Sequence, residues 1–136
     1  MPYFVDTSFF VALFNADDDN HSRAEEIFVE IGNGKYGKLK ASDYVLDEAV
    51  TVARKRTRRH DIAVRVAEMI SNSVWIDMVY VIKDEVIKAL KEYRRYQDKE
   101  LSFTDWVSVL QIRSRGWQGI ISFDEDFDKV GMTRIA

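Results

Sequence analysis

The first fourteen residues restrict the fold more than any other stretch of the chain. Tyr3–Val5 is a short aromatic and β-branched run, which is typical of a buried strand, and Phe9–Phe14 has the apolar content of a packed helix. Asp6, Thr7 and Ser8 lie between them, at a strand-to-helix junction. In open parallel α/β sheets, ligands bind outside the carboxyl ends of the strands. The pattern therefore predicts an α/β chain with a candidate site at Asp6, although Asp6 or Ser8 would serve equally well as a helix N-cap.

Composition narrows the class of protein. A chain of 136 residues is expected to form one domain over residues 1–136. It has no cysteine and only two histidines, so we expect neither a disulfide nor a tetrahedral zinc centre. The formal net charge of −3 argues against a uniformly basic surface, but not against a local basic patch. The apolar run Phe9–Phe14 is far shorter than the roughly 20 residues that a bilayer span needs, so we expect a cytoplasmic protein without a membrane anchor.

Periodicity predicts the order of the remaining elements. Apolar residues at helical spacing predict helices over His21–Ile31, Asp43–Arg56, Asp61–Asn72, Lys83–Lys99 and Ser102–Arg115. Short β-rich runs predict strands at Lys38–Ser42, within Val74–Val81, at Gly119–Ser122 and at Thr133–Ile135. We place the Val74–Val81 strand near the centre of the sheet and the Thr133–Ile135 strand at an edge.

Two acids on these helices are placed toward apolar packing. Glu48 falls at the edge of the apolar arc of its helix, and Asp105 projects between Val109 and Ile112. A carboxylate held against apolar groups is costly unless it is paired or binds a metal. The alternatives are that Glu48 complements the helix dipole and that Asp105 closes a capping box with Ser102.

Further charges lie late in the chain and at one helix end. Asp124 and Asp126 follow the Gly119–Ser122 strand, where either would also cap a short helix. The densest positive cluster lies at the end of the third predicted helix. It is suited to binding phosphate groups, although cations at a helix carboxyl end are also favourable in themselves. The members of this basic cluster are Arg54, Lys55, Arg56, Arg58 and Arg59.

Four acids occupy positions that can converge at one end of a doubly wound sheet. They are Asp6, Glu48, Asp105 and Asp124. Clustered carboxylates repel one another unless some are protonated or a hard divalent cation neutralises them. Oxygen ligands suit Mg²⁺ or Mn²⁺, and such a site is typical of metal-assisted phosphodiester hydrolysis.

The order of these motifs resembles that of the PIN-domain nucleases, and the whole chain resembles the VapC toxins of toxin–antitoxin pairs. The resemblance lies in Asp6-Thr7-Ser8, Glu48, Leu101–Asp105 and Ile121–Phe127. It implies a three-layer α/β/α fold with a mainly parallel central sheet. It also implies Mg²⁺- or Mn²⁺-dependent endoribonuclease activity, a homodimer, and inhibition by a cognate antitoxin that covers the acidic site.

The same resemblance implies roles for individual residues. The catalytic acids would be Asp6, Glu48, Asp105 and Asp124, of which Asp6, Asp105 and Asp124 would bind the metal. The accessory residues would be Thr7, Ser8, Ser122 and Asp126. The predicted helix Asp61–Asn72 offers Ile62, Val66 and Met69 as residues that could form a dimer surface.

Other classes of protein fit the sequence less well. A phosphatase of the haloacid dehalogenase type needs a second acid two residues after the first, where this chain has Ser8. A response-regulator receiver needs an acidic pair after the first strand and a lysine after a late strand. An RNA-maturation nuclease and a catalytically silent acidic binding scaffold stay open as alternatives to a toxin.

Overall fold

A five-stranded parallel sheet forms the centre of the structure. The computed structural model describes residues 1–136, and the strands run in the order β3-β2-β1-β4-β5, with every neighbouring pair parallel. The predicted parallel sheet is confirmed. The strands are β1 Tyr3–Val5, β2 Leu39–Ser42, β3 Ile76–Val79, β4 Gly119–Ile121 and β5 Arg134–Ile135.

Helices surround this sheet. The α-helices are α1 Thr7–Phe14, α2 His21–Gly32, α3 Asp43–Thr57, α4 His60–Ser71, α5 Lys83–Arg95 and α6 Phe103–Arg115, and a 3₁₀ helix spans Glu125–Val130. Helices α1 to α4 pack against one another, while α5 packs against α6. Strands β1 and β4 are buried throughout, as expected of a parallel sheet that helices cover on both faces. The structure thus confirms the predicted α/β class. None of the helices combines the length and apolar character that crossing a bilayer would need.

Two predicted elements differ in the structure. The strand placed near the centre of the sheet is β3, which lies at an edge, because apolar content does not determine strand order. Its residues after Ile76 are half-buried or exposed, as an edge allows. The helix predicted to reach Lys99 ends at Arg95, where Tyr96 leaves helical geometry and stacks on Trp106 with ring centroids 5.5 Å apart.

The residues of α4 that were proposed for a dimer surface are largely buried within the chain. Val66 and Met69 belong to the hydrophobic core, which also contains residues of β1 and α1. The amphipathic face that suggested an interface is therefore the face that packs α4 onto the rest of the chain.

The topology places three strand-to-helix junctions at the carboxyl ends of the central strands. Strands β1 and β4 are neighbours, but the next strand after β1 is β2 on one side and the next strand after β4 is β5 on the other. The chain therefore leaves the two strands in opposite directions. Asp6 follows β1, Ser42 ends β2 and caps α3, and Ser122 follows β4. Such a divergence between adjacent parallel strands opens a crevice at their carboxyl ends.

Candidate active site

Three carboxylates from three separate elements meet at this crevice. Asp6 follows β1, Glu48 lies in the second turn of α3, and Asp105 lies in the first turn of α6. One ligand oxygen from each lies within 4.8 Å of the other two. Asp6 is only 4% exposed and Asp105 only 9% exposed, whereas Glu48 is half-buried. The acids that the sequence placed near strand and helix ends are thus brought together.

These carboxylates line a cavity of about 270 Å³. Its walls are formed by Asp6, Thr7, Ser8, Val11, Glu48, Val52, Arg56, Ser102, Asp105 and Asp124. Asp124 shares the cavity but stands outside the group of three within 4.8 Å. Asp126 instead accepts a hydrogen bond from the Lys129 ammonium at 2.9 Å. Of the two late acids, Asp124 is therefore the one that faces the crevice.

Asp6 and Asp105 both cap helices in the structure as well as belonging to the acidic cluster. Asp6 is the N-cap of α1, and its Oδ2 lies 3.5 Å from the backbone nitrogen of Ser8. Asp105 forms a capping box with Ser102: Asp105 Oδ2 accepts from the Ser102 backbone N–H at 3.0 Å, and Ser102 Oγ accepts from the Asp105 N–H at 3.1 Å. Glu48 lies beyond the first turn of α3, so the helix dipole does not account for it.

A pair of hydroxyls orients Asp6. Its Oδ2 accepts from Ser122 Oγ at 2.8 Å and from Ser8 Oγ at 3.0 Å. Ser122 Oγ also accepts from the backbone N–H of Asp124 at 3.0 Å, and Ser8 Oγ accepts from that of Phe123 at 2.9 Å. The start of α1 and the end of β4 are therefore connected through the side chain of Asp6.

Burial and mutual repulsion favour the protonated form of these acids. Burial raises the pKa of Asp6 from 3.8 to about 6, against the hydrogen bonds from Ser122 and Ser8, and Glu48 adds to the rise. Burial and then the charge of Asp6 raise the pKa of Asp105 to about 7. Burial also raises the pKa of Asp124. Such a cluster gains most from a bound cation, which offsets both causes.

The donor set fits a hard divalent cation. The carboxylates of Asp6, Glu48 and Asp105 supply oxygen ligands only, which is the preference of Mg²⁺ and Mn²⁺. Thr7 lines the same cavity, and its hydroxyl is buried without a hydrogen-bond partner in the protein. A buried hydroxyl without a partner is rare, and a phosphate or a hydrated ion in the cavity would satisfy it.

The residues of the basic cluster lie in different surroundings. Arg56 lines the acidic cavity, and its Nη1 lies 3.9 Å from a carboxylate oxygen of Asp18 in the loop after α1. Arg54 and Lys55 line a second groove, between α3 and α4. Arg59 Nη2 pairs with Asp61 at 2.6 Å. The sequence alone does not distinguish Arg56 from its neighbours, because only the direction of each side chain around α3 separates them.

Comparisons with known proteins give consistent results. A family model described as PIN domain matches residues 3–132. The 23S rRNA-specific endonuclease VapC20 of Mycobacterium tuberculosis is 30% identical over 132 residues, which are 97% of this chain and 96% of that protein. A VapC ribonuclease of Archaeoglobus fulgidus is 26% identical over 128 residues, 93% of this chain and 80% of that protein.

Solved structures extend the similarity to the fold. The crystal structure of the M. tuberculosis VapC20, described as a sarcin–ricin loop cleaving toxin, has a TM-score of 0.89 at 31% identity and covers 98% of both chains. VapBC2 from Rickettsia felis, solved with a DNA fragment of its promoter, has a TM-score of 0.64 at 12% identity and covers 99% of this chain and 98% of that one. The second similarity concerns the fold alone.

Proposed function

Because the chain belongs to the PIN domain family, we propose that it is a metal-dependent endoribonuclease that acts as a VapC-type toxin. The observation that carries the proposal is the acidic cluster: carboxylates from β1, α3 and α6 have oxygens within 4.8 Å of one another in an open cavity. The nearly full-length similarity to VapC20 supports RNA as the substrate. Hydrolysis at such a site requires no serine, cysteine or histidine nucleophile.

The cation would be held by Asp6 and Asp105, with a Glu48 oxygen within 4.8 Å of theirs and Asp124 nearby in the cavity. When bound, Mg²⁺ or Mn²⁺ supplies positive charge that neutralises the acids and offsets the charge that develops on the scissile phosphate.

The protein's own groups prepare this cavity for a phosphodiester. Ser8 and Ser122 hold Asp6 in one orientation by hydrogen bonds, so its carboxylate is fixed before a ligand arrives. Thr7 lines the cavity, and its Oγ1, which has no partner in the protein, would supply a donor to a phosphate bound there. Arg56 supplies a guanidinium at the wall of the cavity, and Glu48, the least buried acid of the cluster, is the one best exposed to accept a proton from an attacking water.

Cleavage of a mixed RNA pool tests the proposal. The pool should include 23S rRNA with its sarcin–ricin loop, because the similar VapC20 is named for that substrate. We expect cutting with Mg²⁺ or Mn²⁺ that is abolished by chelator and by Asp6→Asn or Asp105→Asn. Asp47→Asn is the matched control, since Asp47 adjoins Glu48 in sequence but is exposed. A folded wild-type protein that cuts no RNA, or Asn variants that cut normally, would instead support a catalytically silent binding scaffold.

We also propose that a cognate antitoxin inhibits the enzyme by covering the acidic cavity, and that the enzyme is a homodimer. Co-expression of the product of a small reading frame adjacent to its gene should restore the growth of cells that produce the enzyme. The purified pair of proteins should cleave no RNA. If that product leaves cleavage unchanged, the RNA-maturation alternative gains support. Sedimentation velocity of the purified protein distinguishes a dimer from a monomer.

A further inference from the structure

A second cavity adjoins the acidic one. It has a volume of about 480 Å³ and lies where the end of α5 leads into α6. Its wall includes two tyrosines, three longer polar or charged side chains, and one residue that it shares with the acidic cavity. These residues are Tyr93, Tyr96, Gln97, Lys99, Glu100 and Ser102.

Ser102 joins the two cavities physically. It lines both of them. Its backbone N–H donates to Asp105 Oδ2 at 3.0 Å, so the wall between the cavities is bonded to a carboxylate of the acidic cluster. A nucleic-acid strand whose phosphate lies at the cluster therefore has the second cavity next to it.

The tyrosines of this cavity differ in availability. Tyr96 stacks on Trp106 with an interplanar angle of 13°, and the Arg95 guanidinium lies 5.1 Å from its ring centroid. Tyr93 is 49% exposed, and its ring meets Phe103 edge-to-face with centroids 6.1 Å apart. Tyr93 is thus an aromatic side chain that is held in place by a neighbour and still open to solvent, as a platform for base stacking must be.

Polar groups in the cavity suit a base and its backbone. Gln97 offers both a donor and an acceptor, which a base edge can use. The Lys99 side chain is 28% exposed, and its ammonium pairs with the exposed Asp98 at 3.4 Å, while Glu100 lies in the same wall. An exposed ion pair contributes little, so the Lys99 cation can exchange Asp98 for a flanking phosphate.

We propose that this aromatic cavity binds an unpaired nucleobase next to the scissile phosphate, with the base stacked on Tyr93. The proposal rests on the ribonuclease function above and adds a subsite to it. Recognition of unpaired RNA bases commonly uses stacking on aromatic side chains. The subsite would therefore direct cleavage toward single-stranded loops rather than paired regions.

Kinetics on an RNA that the wild-type protein cuts test the subsite. We expect Tyr93→Ala to raise KM about tenfold with little change in kcat, since alanine substitution of a stacking ring costs roughly 1–3 kcal/mol. Tyr93→Phe should stay within about twofold, because the ring is kept. Tyr80→Ala, at an exposed tyrosine outside the cavity, is the matched control.

An abasic RNA separates stacking from general loss of structure. Removing the base on one side of the cleaved bond should raise the wild-type KM by a similar factor, and should add nothing in Tyr93→Ala. Additive losses, or an unchanged KM in Tyr93→Ala, would overturn the subsite.

Binding separates this proposal from the nuclease proposal. Fluorescence anisotropy of a labelled single-stranded RNA is measured in the Asp6→Asn background, with and without Tyr93→Ala. If the wild-type protein never cuts RNA but Tyr93→Ala still weakens binding about tenfold, the nuclease function fails and the subsite stands. If binding is equal with and without Tyr93, the subsite fails whatever the cleavage result.

Discussion

The hydroxyl of Ser122 donates to Oδ2 of Asp6 at 2.8 Å, although the two residues are 116 positions apart in the chain. The same hydroxyl accepts from the backbone N–H of Asp124 at 3.0 Å. One side chain at the end of β4 therefore fixes the carboxylate that follows β1 and the backbone of the acid that follows β4. The two residues meet because β1 and β4 are neighbours in the sheet.

We predict that Ser122→Ala weakens metal binding about 10- to 100-fold, the usual loss when a hydrogen bond to a ligand is removed. Asp6 loses a hydrogen bond that lowers its pKa, so protons compete more strongly with the cation. Titration calorimetry with Mn²⁺ measures the affinity, and excess metal should restore much of the RNA cleavage. Ser71→Ala is the control, since Ser71 is exposed and bonds only to the backbone of its own helix. Equal affinities in the two variants would contradict the prediction.

The raised pKa values of Asp6 and Asp105 predict that the metal-free protein loses stability as pH rises. Between the unfolded value of 3.8 and the folded values of about 6 and about 7, the folded state binds more protons than the unfolded state. The free energy of unfolding therefore falls with rising pH across this window. Melting temperatures in chelator should be lower at about pH 8 than at about pH 5, and Mg²⁺ should raise them more at the higher pH.

Asp105→Asn checks the origin of that pH dependence. It removes a carboxylate that Asp6 repels, so the metal-free melting temperature at about pH 8 should rise while the response to Mg²⁺ is lost. Asp47→Asn should leave both unchanged, because Asp47 is exposed. A pH dependence that is the same in Asp105→Asn and in the wild type would assign the effect to other groups.

Arg56 is predicted to contribute more to RNA cleavage than the rest of the basic cluster. It lines the acidic cavity, whereas Arg59 is paired with Asp61. Arg56→Gln should raise KM about tenfold and reduce the slope of binding against salt by about one, as expected for one lost phosphate contact. Arg59→Gln should change either quantity much less. Equal effects of the two substitutions would point to a diffuse electrostatic contribution instead.

Local patterns in the sequence predicted the elements and the acids that follow them. The strand at Tyr3–Val5, the acid after it and the helix cap at Ser102 depend on residues within a few positions of one another. Such features can be recognised without the tertiary structure. Asp105 is an example, since its capping box and its place on the apolar side of α6 were both visible in the sequence.

Arrangements between distant elements were not predictable in this way. One example is the position of β3 at the edge of the sheet. Another is that Glu48 lies closer than Asp124 to the other two acids. Both depend on how distant helices and strands pack together. Glu85 is the clearest case. Its position on α5 is typical of an exposed, charged helix face, yet Glu85 is only 2% exposed. Its partner, Arg115, lies 30 residues later, and no local pattern connects them.

The ion pair between Glu85 and Arg115 is predicted to hold α5 onto α6. Arg115 donates from Nε to Glu85 Oε2 at 2.9 Å and from Nη2 to Oε1 at 3.2 Å, and the side chain of Arg115 is 30% exposed. Arg115→Gln leaves a buried carboxylate without its cation, which should lower the free energy of unfolding by about 3 kcal/mol in urea titrations. Lys88→Gln, in an exposed pair with Asp84 on the same helix, should cost less than about 1 kcal/mol.

The pH dependence of that loss identifies its cause. Burial raises the pKa of Glu85, but the hydrogen bonds from Arg115 and from the Ile82 backbone N–H, together with the charge of Arg115, bring it below its ordinary value of 4.5. The stabilisation is therefore present above that value and lost as pH falls through the lowered one. The difference in the free energy of unfolding between wild type and Arg115→Gln should be full at about pH 7. It should shrink in acid, where Glu85 becomes neutral in the variant before it does in the wild type.

Adding Glu85→Gln to Arg115→Gln should recover much of the lost stability, because the unpaired charge is gone. A loss that persists unchanged in the double variant and at low pH would assign the effect to the packing of Arg115 on Trp117 instead.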